Sequence, residues 1–253
     1  MPRISVVVPV YNVEAYLLDC LESIAQQTVS DLEVIVIDDG STDSSAAIAD
    51  TFAERDPRFR LVRQENSGLG HTRNVGAALA RGDFLSFIDS DDVLPRRAYE
   101  MLLGALDESG SDFATGNVHR FDSLGLRQSP MFDAAFKNTL SGVHVSKVPA
   151  LLHDRTAWNK LWRRSFWDEQ QLRFAEGVLH EDIYVAIPAH VLARSVDIIS
   201  EPCYFWRVRE GEERSITQRR TELRSIRDRA RAVDHVSRFL ASRGERRLKR
   251  RYD

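Results

Sequence analysis

The chain has 253 residues, 43% of them hydrophobic, enough for one large core or one core with an appendage. A net charge of -3, the absence of any apolar run near the roughly 20 residues of a membrane span, and two cysteines (Cys20, Cys203) without metal-ligand spacing exclude a membrane-spanning chain, a disulfide scaffold and a cysteine metal site. A strand that starts almost at once argues against a secretory leader, so we expect a cytoplasmic protein with free thiols.

The β-branched run Ile4 to Val10 reads as a buried strand, and Glu14 to Gln27 follows as an amphipathic helix with Tyr16, Leu17, Leu21 and Ile24 on one side. Leu32 to Asp38 is a second buried strand. Gly40 to Ser45 supplies a turn and the N-cap of a helix reaching about Glu54. Phe59 to Arg63 is a short third strand, Leu69 to Ala80 a helix, and Phe84 to Ile88 a fourth strand. Strands alternating with helices imply an α/β fold with a mostly parallel sheet and right-handed crossovers.

After Pro95 the pattern changes. A helix to about Ser109 and a strand from Asp112 to Val118 precede an irregular stretch, Arg120 to Leu140, and the aromatic, basic segment Trp158 to Trp167. Glu181-Asp182 opens a helix through Ala193, Val196 to Ser200 reads as a strand, and from Thr221 Leu223, Ile226, Ala230, Val233 and Leu240 mark one long amphipathic helix. From Arg207 to Asp253 there are 16 Lys and Arg against 8 Asp and Glu, so of the totals of 35 and 38 the preceding part keeps 19 basic and 30 acidic residues. The basic tail is read first as a solvated helix face, with peripheral contact to an anionic membrane as its functional counterpart; no nucleic acid is expected as a partner. The chain stops without a capping or breaking signal, which suggests continuation into a further domain.

Chemistry concentrates where strands end. Pro9-Val-Tyr-Asn12 ends the first strand, Asp38-Asp-Gly-Ser-Thr-Asp43 the second and Asp89-Ser-Asp-Asp92 the fourth. In a parallel sheet these ends share one edge, the usual place for a ligand. Asp89 and Asp91, two apart in an extended chain, can aim at one point, where a divalent cation carrying a diphosphate would relieve their repulsion. A dinucleotide-binding oxidoreductase is excluded, because Gly68-Leu-Gly-His-Thr-Arg73 ends in Arg where a small residue is needed. No Walker A sequence occurs, and the first strand ends in neither the acidic pair of an Asp-nucleophile phosphatase nor the Gly-rich loop of a nucleotidyltransferase.

Taken together, Ser5-Val-Val-Val-Pro-Val-Tyr-Asn12, Val36-Ile-Asp-Asp-Gly-Ser-Thr-Asp43, Asn66-Ser-Gly-Leu-Gly-His-Thr-Arg-Asn-Val-Gly76 and Ile88-Asp-Ser-Asp-Asp92 resemble the signature blocks of family 2 glycosyltransferases, inverting enzymes of the GT-A fold. The resemblance implies a GT-A domain over residues 1–217, with a nucleotide half (1–95) and an acceptor half (96–217), and a basic helical extension over 218–253. It implies transfer of a sugar from a nucleoside-diphosphate sugar, UDP favoured, to a hydroxyl of a glycan, polymer or lipid-linked acceptor, with Mn²⁺ or Mg²⁺ as cofactor. Pro9, Tyr11, Asn12, Asp38, Asp39, Arg73, Asn74, Asp89 and Ser90 would line the nucleotide, Asp39 as acceptor of a pyrimidine N–H. Asp91, with Asp89, would hold the metal. Asp182, or failing that Glu181, would be the base that deprotonates the acceptor. Arg207 or Arg209 would clamp the diphosphate, with Ser215-Ile-Thr217 in the same loop. Trp158, Lys160 and Trp162 are expected on the acceptor side if their segment is extended. The rival reading of another class is a catalytically silent nucleotide-sugar or carbohydrate-binding module.

Overall fold

The computed structural model describes residues 2–210 and 215–253. In chain order the strands are β1 (Ile4–Val10), β2 (Leu32–Asp38), β3 (Phe59–Arg63), β4 (Phe84–Phe87), β5 (Phe113–Asp122), β6 (Gly125–Gln128), β7 (Leu140–Val143), β8 (Lys160–Arg163) and β9 (Val196–Arg207). The helices are α1 (Leu17–Ala25), α2 (Ser45–Arg55), α3 (Leu69–Leu79), α4 (Ala98–Ser109), α5 (Arg164–Glu169), α6 (Ile183–Leu192), α7 (Leu223–Ser242) and α8 (Arg246–Tyr252). Short 3-10 turns occupy Pro149–His153 and Thr217–Arg219.

One sheet runs through the molecule in the order β3-β2-β1-β4-β8-β5-β9-β7, with β6 paired to β5. β1 is parallel to β2 and β4, and β2 to β3, so the loops after β1, β2 and β4 leave one edge together. β8 is antiparallel to both β4 and β5, and β5 is parallel to β9. Two reversals cancel: β5 and β9 run the same way as β4. The carboxyl end of β9, at Arg207, therefore arrives on the edge that already carries Asp89 to Asp92.

β1 and β2 are buried at every position, which explains their continuous apolar sequence. α3 crosses β1 closely because Gly76 has no Cβ; one added there would strike the Val7 side chain.

Several elements differ from the sequence expectation, among them the 120–140 stretch read as irregular, where β5 runs on to Asp122 and pairs with β6. The first helix starts only at Leu17, after a turn in which the Tyr16 N–H bonds Val13 O at 2.9 Å. β9 continues to Arg207 rather than stopping at Ser200. Pro202 lies opposite Asn117 at a register shift in the β5–β9 ladder, an irregularity of the kind at which a strand tolerates proline. The expected single C-terminal helix is two, because Gly244 adopts φ 74 and turns the chain between α7 and α8.

α7 buries Ala232, Val236 and Leu240, and α8 buries Leu248, all within the main hydrophobic core. The stripe expected from the sequence is only partly right: Leu223, Ile226 and Ala230 are exposed, and the face that packs on α6 is instead Ser225, Asp228, Ala232, Val236 and Leu240, with α8 set on the 149–153 turn. Among the described residues no helix is long and apolar enough to cross a membrane.

Candidate active site

The site is organised around Arg73, which α3 delivers to the shared strand edge. Its side chain is only 1% exposed. One terminal nitrogen donates to Asp89 Oδ1 at 2.5 Å, and the other to Asp182 Oδ1 at 2.5 Å and to Glu181. Burial alone would lower the Arg73 pKa; Asp182, Asp89 and Glu181 outweigh it and raise the pKa. Arg73 was expected to touch a nucleotide, but its terminal nitrogens are committed to these three carboxylates. It joins the turn after β4 to the start of α6. Asn74 is likewise turned away from the expected nucleotide contact. It donates to Phe174 O and Glu176, and its Oδ1 accepts the Phe174 N–H at 2.9 Å, which pins the segment leading to Glu181.

Three carboxylates on one guanidinium leave an excess of negative charge, and the structure divides it unequally. Burial, then Asp182, pushes Glu181 up to about 8 against the pull of Arg73, so Glu181 is largely protonated at neutral pH. Asp89, although its side chain keeps 28% exposure, is raised to about 6 by burial, with Asp182 and Asp91 adding to it and Arg73 opposing. Asp182 is the more open member of the α6 pair, 14% exposed against 5% for Glu181. Its second oxygen accepts the Ala157 N–H at 3.2 Å.

Two residues before Glu181 the chain is gripped by α7. The buried Asp228 Oδ2 accepts the Leu179 N–H at 3.2 Å, and Ser225 Oγ meets His180 Nε2 at 3.0 Å. His180 itself has φ 63, a left-handed conformation that a non-glycine residue holds only when its surroundings fix it. Nothing in the sequence pairs Asp228 with Leu179, because 49 residues separate them.

The acidic turn after β4 rests on Tyr204 of β9. The Tyr204 hydroxyl accepts the Asp89 N–H at 3.1 Å and donates to Asp92 Oδ2 at 2.7 Å. Asp92 also accepts the Arg207 N–H at 2.7 Å; burial, then Asp91 and Asp89, raises its pKa well above the ordinary value. Asp92 and Tyr204 were not singled out from the sequence for these roles; the acidic run showed the first, and no spacing signal showed the second.

Trp158 stacks on Tyr204 with ring centroids 4.2 Å apart and is buried. It is a floor beneath the acidic turn, not an open acceptor platform. Lys160 and Trp162 also leave the acceptor expectation. The segment is extended, as β8, but it lies in the middle of the sheet with both side chains sealed. Lys160 pairs with the equally buried Asp154 at 2.8 Å, and Trp162 packs on Phe113.

Asp91 faces Arg209, whose Nε lies 2.7 Å from Asp91 Oδ2. Arg207 donates to Asp91 O at 2.6 Å and to Asp19 at 2.9 Å, and both guanidiniums lie over the Tyr16 ring. Arg207 and Arg209 therefore come to the acidic turn itself.

Ser90, within the acidic turn, is buried; at the end of β1 Pro9 is buried, Asn12 is half-buried with φ 49, and Tyr11 is exposed. Asn12 Oδ1 accepts the Thr42 N–H at 2.8 Å, tying the ends of β1 and β2 together. Asp38 accepts the Ser41 N–H across the second turn. Asp39 accepts from Gln64 at 2.7 Å and from the Ser67 and Gly68 N–H groups, each at 2.9 Å, which holds the start of α3 and leaves acceptor capacity on Oδ2.

The donor set around Asp91 consists of hard carboxylate oxygens, with Asp89 and Asp92 raised first by burial and then by their acidic neighbours, and this suits Mg²⁺ or Mn²⁺. Among the described residues no three His, Cys, Asp or Glu side chains are grouped as a metal cage. Such a cation would take one or two ligands from the protein and the rest from substrate and water.

Comparison with known proteins gives a consistent result. The sequence profile of Glycosyl transferase family 2 matches residues 5–169. The chain is 37% identical to EpsH of Bacillus subtilis (strain 168) over 215 residues, covering 82% of this chain and 61% of EpsH. It superimposes on the crystal structure of S. aureus TarS 1-349 in complex with UDP-GlcNAc with a TM-score of 0.74, over 95% of this chain and 73% of that one, at 23% identity. The mannosyltransferase PcManGT from Pyrobaculum calidifontis, in complex with GDP-Man and Mn2+, aligns at a TM-score of 0.63 over 96% of this chain and 64% of that one, at 19% identity. These two likenesses bear on the fold, which is the GT-A arrangement expected from the sequence.

Proposed function

Because the chain belongs to Glycosyl transferase family 2, we propose that it is a metal-dependent inverting glycosyltransferase that moves a sugar from a nucleoside-diphosphate sugar, UDP favoured, to a hydroxyl of a glycan, polymer or lipid-linked acceptor. The chain spans 61% of the EpsH length, so the proposal concerns the catalytic portion described above. One observation carries it. Arg73 draws the acidic turn of the donor side and the Glu181–Asp182 pair into one cluster, with 2.5 Å bonds to Asp89 and to Asp182.

In this reading the nucleotide lies across the ends of β1 and β2, against Tyr11, Asn12 and the remaining acceptor capacity of Asp39. A divalent cation held by Asp91 with Asp89 would offset the charge of the departing diphosphate. Arg207 and Arg209, already at that turn, would supply further positive charge there. Asp182 takes the proton of the attacking hydroxyl on the face opposite the leaving group. Glu181, buried behind it with its pKa raised first by burial and then by Asp182, is the second candidate for that role and helps set the charge balance around Arg73.

Calorimetric titration with UDP, CDP, GDP and ADP, with and without manganese, tests the donor side. Tight, metal-dependent binding of one pyrimidine diphosphate is expected, weakened in Asp91→Asn. Binding that ignores manganese would remove the metal from the reading. Donor binding with no turnover of any nucleotide sugar would turn the reading to a silent binding module.

A further inference from the structure

Lys160 opens β8 with its side chain sealed, and its three protons find partners inside the turn that precedes it. Nζ lies 2.8 Å from Asp154 Oδ2 and donates to Asn159 Oδ1 at 2.9 Å and to Thr156 O at 2.5 Å. Burial alone would raise the Asp154 pKa, but Lys160 foremost outweighs it and holds the carboxyl below its ordinary range, so the pair is ionised. A buried ion pair is weak evidence for stability, because desolvation offsets much of the attraction. The bond to Thr156 O gives this lysine a second use.

Thr156 O and the Ala157 N–H are the two ends of one planar amide. The carbonyl end accepts from the Lys160 ammonium, and the N–H end donates to Asp182 Oδ2 at 3.2 Å. A cation on an amide oxygen draws electron density toward it and leaves the N–H a stronger donor, since hydrogen bonds in series polarise one another. The other Asp182 oxygen accepts from Arg73 at 2.5 Å, so each oxygen has a donor and the plane of the carboxylate is fixed. The same turn reaches α6 a second time, because Asp154 Oδ2 lies 3.3 Å from His190 Nε2. Residues 154–160 therefore hold α6 at its N-cap, Asp182, and again in its last turn.

We propose that Lys160 is a positioning residue for Asp182, acting through the Thr156–Ala157 peptide. Its ammonium strengthens the N–H that holds Asp182 Oδ2, and the lone pairs left on the carboxylate then keep one direction toward the attacking hydroxyl. The effect on turnover rests on Asp182 being the base; the hydrogen-bonded chain from Lys160 to Asp182 does not. Lys160 never meets the acceptor, yet it governs the group that does.

The test compares Asp154→Asn, which keeps the Lys160 amine at Thr156 O, with Asp154→Asn/Lys160→Met, which removes it and leaves no unpaired carboxylate behind. In ¹H–¹⁵N spectra of the whole chain the Ala157 amide proton should move upfield from the first variant to the second. The same step made in an Asp182→Asn background should move it less, because the two ends of the chain are coupled. An Ala157 resonance that stays in place overturns the proposal. Should the double variant not fold, Lys160→Gln puts a neutral amide where the ammonium was, and an Ala157 resonance unmoved from wild type overturns it equally. Turnover is read as UDP released from UDP-GlcNAc with manganese and water as acceptor. It should fall about tenfold or more between the first two variants, with KM for the nucleotide sugar and UDP affinity unchanged. A moved amide with unchanged turnover would leave the chain from Lys160 standing and count against Asp182 as the base instead.

Discussion

Arg73 shows what the sequence can and cannot disclose about single residues. Its place in a strand-edge motif was legible, and so were Asp89 and Asp182. Their meeting was not, because Arg73 and Asp182 are 109 residues apart and no local pattern encodes that distance. A nucleotide contact was the natural expectation for an arginine at the edge; burial turned it into an internal counter-ion. Replacing it with methionine would leave the buried carboxylates without their cation, at a cost of about 3–5 kcal/mol, and chemical denaturation should register a loss of that size. Glu181 makes a pH-dependent prediction. Its folded pKa of about 8 lies above the ordinary 4.5, so the folded protein keeps a proton that the unfolded chain releases. Its contribution is fully present below about pH 4.5 and is lost as pH rises through about 8. Glu181→Gln should flatten that part of the stability–pH curve; an unchanged slope would place the titration elsewhere. Asp182→Asn should keep UDP affinity and lower transfer by about 10²–10⁴-fold, the range for loss of a general base. Weakened UDP binding in that variant would move Asp182 out of the base role.

At the level of elements, the alternating strands and helices to Phe87 could be read from periodicity because each is buried on a regular pattern. β9 could not be followed past Ser200, since Pro202 removes a ladder donor and only the partner strand reveals the register shift that lets the strand continue. α7 was legible as an amphipathic helix but not as a part of the site. By bonding Leu179 and His180 it sets the direction in which the chain enters the Glu181–Asp182 pair. Asp228→Ala should therefore lower turnover, by up to about 100-fold if Asp182 shifts by an ångström, while UDP binding holds. Asp228→Asn retains an oxygen for the Leu179 N–H and should recover most of the loss. Equal effects of the two substitutions would show that charge, not the bond to Leu179, matters.

For the whole molecule, the sequence divided the chain into two halves and an extension, and the structure joins all three through one sheet and one core. Val236, Leu240 and Leu248 are buried in that core, each worth about 1.5–3 kcal/mol. Deleting residues 221–253 should then lower the melting temperature sharply and reduce solubility; a truncated protein that melts like the intact one would make the segment a mere appendage. The reversed strand β8 has a mechanical consequence. It sits between β4 and β5 and is hydrogen-bonded to both, so the sheet is an unbroken beam from β3 to β7. A beam with no seam cannot open and shut like a pair of jaws. On the proposed reading, the turns after β1, β2 and β4 and the end of β9 stand on this one continuous sheet, and the bending that the reaction requires falls to the chain beyond the strand ends.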